Sequence, residues 1–207
     1  MTNLIFFGKN YQDHMHELGD KPVDKPVIFL KPENIMRACH HWGESLDLYF
    51  PEAEIQQEVE LVFKLTAGGF QMTSEQARDA LGSYTVGLDM TKRSLQKQLK
   101  DCGHPWTIGK VFPDAAVIGP WKSVNNITDC LLQPFSFFLN SDKRQASVGN
   151  NMIFSPIDLI VQASHYFPLF SGDILFTGTP SGVGNIARGD VGRVTLGDDF
   201  YQVKWSR

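Results

Sequence analysis

The sequence predicts a single α+β domain over residues 1–207, built on a rolled or sandwiched β-sheet with few helices. Many short segments alternate polar and apolar residues with the period of two that is typical of strands. Helical patterns are few, and strands do not alternate regularly with helices, which disfavours a doubly wound parallel sheet. No repeat or Gly-, Ser- or Pro-rich linker divides the 207 residues, and their 42% hydrophobic content is sufficient for one core.

The strands are predicted from alternation, or from short apolar runs bounded by Gly, Pro, Asn or Asp. Alternation is clearest at residues 58–65, where the odd positions are apolar and the even positions are polar except for Val62, as in a half-buried strand. Further strands are predicted at residues 4–7, 27–30, 84–88, 115–118, 135–139, 174–177, 193–196 and 200–205.

Three helices are predicted from capping signals and helical spacing. A capping box at Thr73-Ser74-Glu75-Gln76 starts the first, which extends to about Tyr84. The second begins near Thr91 and ends at Gly103, and the third begins at Ser155-Pro156 and ends before Pro168. The residues predicted to be buried on the first two helices are Ala77, Leu81, Tyr84, Leu95, Leu99 and Cys102.

Composition restricts the partners and the location. There are 19 basic and 23 acidic residues, and the resulting net charge of −4 argues against nucleic acid as a partner. The apolar runs are too short to span a membrane or to form a signal peptide. Three widely spaced cysteines imply neither a disulfide framework nor a zinc site. We therefore expect a soluble cytoplasmic protein.

Three carboxylates are candidates for a metal site. Glu58 and Glu60 are two residues apart on a predicted strand, so their side chains leave the same face, about 7 Å apart along the backbone. Asp89 follows the strand at 84–88, although spacing alone does not link it to the other two. Such oxygen ligands suit Mg²⁺ or Mn²⁺, whereas the alternative is a strand face that is simply solvated.

His14 and Glu17 are candidates for a general base. They are three residues apart and share a face if this stretch is helical. A carboxylate bonded to one imidazole nitrogen fixes the tautomer and makes the other nitrogen more basic. The alternative is a polar turn at the surface.

Cationic and hydroxyl groups are candidates for holding an acidic substrate. Arg93 and Gln96 share a helix face close in sequence to Asp89, and Arg93 could bind a carboxylate bidentately. The apolar neighbours of Lys110 predict that its charge is partly buried and therefore has a purpose. The alternative for Arg93 and Gln96 is a solvated helix face.

The segment at residues 172–184 leaves a strand through a loop that is rich in glycine and hydroxyl groups. Its backbone N–H groups and the Thr179 hydroxyl could approach a small carboxylate, although a structural turn is the alternative. Residues 182–187 imitate a dinucleotide fingerprint, but Pro180 interrupts the strand-to-helix turn that such a site requires.

These motifs together resemble the fumarylacetoacetate hydrolase family, most closely its short, single-domain acylpyruvase branch. Each motif is weak alone, whereas their order along nearly the whole chain is specific. The residues that carry the resemblance are Gly8-Lys9-Asn10-Tyr11-x-x-His14-x-x-Glu17, Pro26-Val27-Ile28-Phe29-Leu30-Lys31-Pro32, Glu58-x-Glu60-Leu61, Gly87-Leu88-Asp89-Met90-Thr91-Lys92-Arg93-x-x-Gln96, Pro105-Trp106-Thr107-x-x-Lys110, Met152-Ile153-Phe154 and Gly172-Asp173-Ile174-x-x-Thr177-Gly178-Thr179-Pro180-x-Gly182-Val183-Gly184.

The resemblance implies a mixed β-sandwich roll with a few short helices, and a homodimer. It implies that Mg²⁺ or Mn²⁺ is bound and that a catalytic His–Glu dyad lies on a short lid over a small dicarbonyl acid substrate. The implied residues are Glu58, Glu60 and Asp89 for the metal, His14 and Glu17 for the dyad, and Arg93, Gln96, Lys110 and Thr179 for the oxoacid end of the substrate.

These implications predict hydrolysis of a C–C bond in 2,4-dioxo acids, such as fumarylpyruvate or acetylpyruvate, to pyruvate and a carboxylic acid. His14, oriented by Glu17, would deprotonate the attacking water, and Lys110 would stabilise the developing oxyanion. Decarboxylation or keto–enol tautomerisation of oxaloacetate uses the same chemistry and is the alternative. A more remote alternative is a protein that binds a metal and an oxoacid without catalysis.

Overall fold

The computed structural model describes residues 2–19 and 24–206. Its helices are α1 (Gln12–Leu18), α2 (Ser74–Asp79), α3 (Arg93–Asp101), α4 (Thr107–Lys110), α5 (Ile127–Leu132) and α6 (Pro156–Ser164). Its strands are β1 (Leu4–Gly8), β2 (Val27–Lys31), β3 (Met36–Ala38), β4 (Ser45–Leu48), β5 (Ile55–Gln57), β6 (Val59–Leu65), β7 (Leu81–Asp89), β8 (Ala116–Ile118), β9 (Lys122–Ser123), β10 (Pro134–Leu139), β11 (Asp142–Val148), β12 (Ile174–Phe176), β13 (Gly184–Ile186), β14 (Val191–Leu196) and β15 (Asp199–Trp205).

Most strands belong to two sheets that pack against each other. The larger sheet has the order β2-β1-β12-β6-β7-β8-β3, with β9 paired to β7, and the smaller has the order β11-β10-β14-β15-β4. Strands β10 and β14 of the smaller sheet lie against β6 and β7 of the larger one. The Tyr201 hydroxyl, on β15, crosses this interface and donates to the Val86 carbonyl at 3.3 Å. The sheet-dominated α+β class predicted from the sequence is confirmed.

The predicted strands are all present, with ends that agree to within three residues. The strands that the sequence did not predict are β3, β4, β5, β9, β11 and β13. Five of them have two to four residues, too few to show a period, and β11 is polar along most of its length. Within the described residues, no helix has the length and apolar character needed to cross a membrane.

The first predicted helix was too long. The capping box at Thr73 and Gln76 is present, but α2 ends at Asp79. Leu81 and Tyr84 are buried as predicted, yet they belong to β7. Their spacing from Ala77 fits a helix, but pairing of β7 along β6 buries the same side chains and overrides the local preference.

The second predicted helix begins and ends two residues inside its predicted limits, and its buried face was wrong. Gln96 is the buried residue of α3, Leu95 and Leu99 are half-buried, and Cys102 is exposed. The reason is that the face of α3 that carries Gln96 lies against a polar pocket, where the Gln96 amide finds a hydrogen-bond partner. The third helix, α6, begins at Pro156 behind a capping box at Ser155, as predicted.

Candidate metal centre and active site

The three candidate metal ligands lie together in the interior. Glu58 and Glu60 flank Val59 at the start of β6, and Asp89 is the last residue of β7. Antiparallel pairing brings Asp89 beside Glu58, whose carbonyl accepts from the Asp89 N–H at 2.9 Å. One carboxylate oxygen of each residue lies within 4.8 Å of the other two. All three residues are buried, so the solvated strand face considered for Glu58 and Glu60 is excluded.

Lys110 neutralises part of this cluster. It is buried at the end of α4, and its Nζ donates to Glu58 at 2.9 Å, to Asp89 at 2.7 Å and to the Thr91 hydroxyl at 2.7 Å. Burial favours the neutral amine, but the adjacent carboxylates of Asp89 and Glu58 outweigh it and raise the pKa of Lys110 above its usual value. Lys110 is therefore charged, and its three N–H groups all have acceptors.

Lys31 is a second buried lysine in the cluster, and the sequence assigned it no role; burial lowers its pKa below the usual value, although the neighbouring Asp89 carboxylate opposes this. It is the last residue of β2, and its Nζ donates to Asp89 at 2.5 Å and to the carbonyls of Met90 and Ala115 at 3.1 and 2.8 Å. The signal that could have identified it is a lysine that ends a strongly apolar strand, because a charge in such a place needs a partner.

Glu60 differs from the other two carboxylates in its partners; burial also raises the pKa of Asp89, but Asp89 is paired with Lys31 and Lys110. Within the described residues Glu60 makes no ion pair, and it accepts one hydrogen bond, from the Gly178 N–H at 2.7 Å. Burial and the negative charges of Asp89 and Glu58 raise the pKa of Glu60 well above its usual value. Burial would also raise the pKa of Glu58, but Lys110 and Arg93 outweigh burial and hold that pKa below its usual range. The cluster is therefore short of positive charge at Glu60.

The glycine-rich loop holds carboxylates that belong to the protein itself. Gly178 donates to Glu60, and Gly182 donates to Glu17 at 3.0 Å. Gly178 has a φ of +95°, and a Cβ there would lie 2.9 Å from the Phe7 carbonyl oxygen. This position therefore requires glycine.

His14 and Glu17 form the predicted pair on α1. Their Nδ1 and Oε2 atoms are 3.0 Å apart, and Glu17 also accepts from the Gly182 N–H. Because an ionised carboxylate only accepts hydrogen bonds, Nδ1 carries the proton and Nε2 of a neutral imidazole is an acceptor. His14 is 7% exposed and lines the cavity of the carboxylate cluster, which excludes a simple surface turn.

Arg93 connects α3 to the carboxylates. Its guanidinium contacts Glu58 and donates to the side-chain oxygens of Gln56 at 3.0 Å and Gln96 at 2.8 Å. Gln96 is 4% exposed. The bond from Arg93 occupies the Gln96 oxygen, so the Gln96 amide group remains as a donor. The solvated helix face considered for these residues is excluded.

Gln145, on β11, is a buried residue that the sequence did not indicate. Its Oε1 accepts from the Val59 N–H at 3.0 Å, and its Nε2 donates to the Thr179 hydroxyl and the Pro180 carbonyl, both at 2.8 Å. The Thr179 hydroxyl in turn donates to the Val59 carbonyl at 2.9 Å. A backbone N–H can only donate and a carbonyl can only accept, so these proton positions are fixed. The Thr179 hydroxyl proton is thus used within the protein.

Eight of the nine predicted site residues line one cavity of about 50 Å³, and Glu17 reaches it through His14. The donors fit a hard divalent cation, because they are three buried carboxylates. Their oxygens all lie within 4.8 Å of one another and would move closer together around a bound ion, because adjacent ligands at about 2.1 Å from an octahedral ion are roughly 3 Å apart. Glu60 also lacks compensating charge, which a cation would supply.

Residues 3–202 match the family described as fumarylacetoacetate (FAA) hydrolase, C-terminal. The chain belongs to the fumarylacetoacetate hydrolase family. This finding confirms the resemblance drawn from the ordered motifs.

Several named relatives of this family cover nearly the whole chain. The oxaloacetate tautomerase YcgM of Escherichia coli K12 is 32% identical over 95% of this chain and 89% of its own. The mitochondrial oxaloacetate tautomerase fahd-1 of Caenorhabditis elegans is 33% identical over 92% of this chain and 87% of its own. The structure of fumarylpyruvate hydrolase from Pseudomonas aeruginosa, in complex with Mn²⁺ and pyruvate, is 32% identical with a TM-score of 0.91, covering 100% of this chain and 91% of that chain.

Proposed function

We propose that this member of the family is a divalent-metal-dependent hydrolase that cleaves 2,4-dioxo acids into pyruvate and a carboxylic acid. The observation that carries the proposal is that the three buried carboxylates and His14, oriented by Glu17, line the same cavity. A similar structure, fumarylpyruvate hydrolase from P. aeruginosa, is described with Mn²⁺ and pyruvate, which supports both the metal and the product.

Glu58, Glu60 and Asp89 are the proposed ligands of Mg²⁺ or Mn²⁺. When bound, the cation would supply Lewis-acid polarisation of the carbonyl oxygens of the substrate. The formal charges of the three carboxylates are balanced by Lys31, Lys110 and Arg93, all of which contact them. A dication therefore leaves the site with a net positive charge, which favours an anionic oxoacid over a neutral substrate.

His14 is the proposed general base. Because its Nδ1 proton is directed at Glu17, Nε2 can take a proton from water, and the resulting hydroxide attacks the C4 carbonyl of the substrate. The C3–C4 bond then breaks, its electron pair stays on C3, and His14 returns the proton to C3 to give pyruvate. Lys110 would stabilise the oxyanion through its charge, since its three N–H groups are used by Glu58, Asp89 and Thr91.

We also propose that α1 is the lid that the resemblance implies. His14 and Met15 of α1 line one side of the cavity, so this helix covers the carboxylate cluster. His14 lies on α1, so displacement of this helix would widen the cavity, and its return would bring the base to the substrate.

The test is release of pyruvate from acetylpyruvate and fumarylpyruvate by protein loaded with Mg²⁺ or Mn²⁺, with a chelator as the control. We expect metal-dependent turnover that His14→Ala lowers by at least 100-fold, the lower limit for loss of a general base. Absence of turnover with either metal, or full activity of His14→Ala, would refute the hydrolase.

Keto–enol tautomerisation of oxaloacetate is the second candidate, because two relatives that cover more than nine-tenths of this chain bear that name. This reaction activates no water, so it depends less on the orientation of His14 by Glu17. Enol absorbance would decay faster with the protein, without pyruvate or CO₂, and the rate would persist in Glu17→Gln. Release of CO₂ would instead identify the decarboxylase. The homodimer remains a prediction for analytical ultracentrifugation.

A further inference from the structure

Two buried glutamines bind carbonyl groups of the glycine-rich loop, whose N–H groups bind carboxylates. Gln145 donates to the Pro180 carbonyl at 2.8 Å. Gln57, the last residue of β5, donates from Nε2 to the Gly182 carbonyl at 3.1 Å. The N–H group of the same Gly182 donates to Glu17 at 3.0 Å. Gly182 therefore connects a buried glutamine to the carboxylate of the proposed dyad.

The contacts of Gly182 continue to the imidazole of His14. The Glu17 carboxylate that accepts from Gly182 also lies 3.0 Å, through Oε2, from His14 Nδ1. The backbone of Gly182 has little freedom to move: its φ is +99°, and a Cβ there would lie 1.9 Å from the Arg144 carbonyl oxygen. The place of Gly182 thus determines where the Glu17 carboxylate lies, and that carboxylate determines which nitrogen of His14 carries the proton.

The surroundings of Gln57 indicate a role other than packing. Gln57 is 0% exposed, and its Oε1 is buried without a hydrogen-bond partner among the described residues. A buried polar atom in this state destabilises a fold, so an apolar side chain of the same length would cost less here. The feature that glutamine has and such a side chain lacks is the hydrogen bond from Nε2 to Gly182.

We propose that Gln57 is a positioning residue for the general base: it fixes Gly182, which holds Glu17 and thereby the Nδ1–H tautomer of His14. Gln57 is not among the described residues that line the cavity, so it acts through Gly182 and not on the substrate. Gln145 contacts the backbone of Val59, between two of the proposed metal ligands, and would affect the metal instead. This inference rests on the proposed function for the role of His14 as a base.

The test compares Gln57→Met with Gln145→Met, because each removes a donor to the loop and keeps the length of the side chain. The tautomer of His14 is read from ring ¹⁵N chemical shifts of metal-free protein labelled at histidine, with His14→Ala to assign the signals. Spectra at about pH 8.5, roughly two units above the usual histidine pKa, report the neutral ring. We expect the Nδ1–H tautomer in the unmodified protein and in Gln145→Met, and a mixture with the Nε2–H tautomer in Gln57→Met.

Kinetics and metal binding distinguish positioning from a general loss of structure. In Gln57→Met, kcat for pyruvate release from acetylpyruvate should fall by about tenfold or more, while KM and the Kd for Mn²⁺ by calorimetry change by less than about threefold. Gln145→Met should show the reverse for the metal, with weaker Mn²⁺ binding. Gly182→Ala is the second variant, because its Cβ must displace the backbone from the Arg144 carbonyl. It should give the same tautomer mixture as Gln57→Met, and thermal unfolding checks that each variant is folded.

The outcomes separate this inference from the proposed function. An unchanged His14 tautomer in Gln57→Met and Gly182→Ala, or the same mixture in Gln57→Met and Gln145→Met, would overturn the role of Gln57. Absence of turnover in every protein, including the unmodified one, would refute the hydrolase. The tautomer measurement needs neither metal nor substrate, so it decides the positioning role in that case as well.

Discussion

Replacing Glu60 by glutamine is expected to stabilise the protein without metal and to remove stabilisation by metal. The pKa of the buried Glu60 carboxyl is raised well above the usual 4.5, so the folded state binds this proton more tightly than the unfolded state. Stability therefore falls as pH rises from the unfolded pKa through the folded one, and at neutral pH an ionised Glu60 is a cost. Glutamine removes the charge and keeps an oxygen for the Gly178 N–H.

The magnitude follows from the separation of the carboxylates. Two like charges 4.8 Å apart repel by about 3.5 kcal/mol at an effective dielectric constant of 20. Lys31, Lys110 and Arg93 offset most of the repulsion from Glu58 and Asp89, which leaves a cost of about 1–3 kcal/mol, the range for a buried group without adequate partners. For a chain of this size, that corresponds to a rise in Tm of roughly 2–12 °C in Glu60→Gln.

The assay is thermal unfolding in chelator and in Mn²⁺ at pH 7, repeated near pH 4 in chelator. Metal at about 1,000 times Kd should add about 4.1 kcal/mol to the unmodified protein and nothing to Glu60→Gln, so the order of the two Tm values reverses with metal. The difference in chelator should vanish near pH 4. Glu52→Gln, at an exposed glutamate, is the charge-matched control. A metal-free Glu60→Gln that is less stable than the unmodified protein at pH 7 would refute the reasoning.

Three further substitutions probe the dyad, the inter-sheet hydrogen bonds and the loop. Glu17→Gln should lower kcat for pyruvate release by about 100-fold with little change in KM, because the His14 tautomer is no longer held; an unchanged kcat would contradict this. Gln145→Leu should weaken Mn²⁺ binding about 10–100-fold by calorimetry, whereas Ser136→Ala, which removes a 2.6 Å hydrogen bond elsewhere in the same sheet, should not. Gly178→Ala should lower the free energy of unfolding in urea by about 1–3 kcal/mol or more, and an unchanged value would show that the backbone there can relax.

The fold could be predicted where the pattern within one segment was sufficient. The alternation at residues 58–65 predicted β6 almost to its ends, and the capping box predicted the start of α2. The end of α2 could not be predicted, because Leu81 and Tyr84 also fit a helical spacing. In the structure they belong to β7, which pairs with β6. The sequence predicted a half-buried strand, but β6 is buried along nearly its whole length. Lys64 is its exposed residue, and Glu60 faces the cavity instead of solvent.

The same limit applies to the site. Spacing linked Glu58 with Glu60, and His14 with Glu17, because each pair lies on one element or beside its end. The approach of Asp89 depends on the register of two strands, which the sequence does not show. Lys31 is 58 residues from Asp89 in sequence, and Gln145 is 86 residues from Val59. Only the folded chain shows that these residues are in contact.

We expect the carboxylate oxygens to link metal loading to the conformation of the cationic side chains. Glu58 uses one oxygen for Arg93 and the other for Lys110, and Asp89 uses one for Lys31 and the other for Lys110. A cation bound by these two residues must therefore share oxygens that already accept bonds from charged donors. A bound cation would compete with Lys110 for these oxygens, and each Lys110 N–H group that it displaced would become available to an anionic substrate in addition to the charge of Lys110. On the proposed function, the ammonium groups would lower the affinity for metal, and metal binding would in turn prepare Lys110 to stabilise negative charge on the substrate.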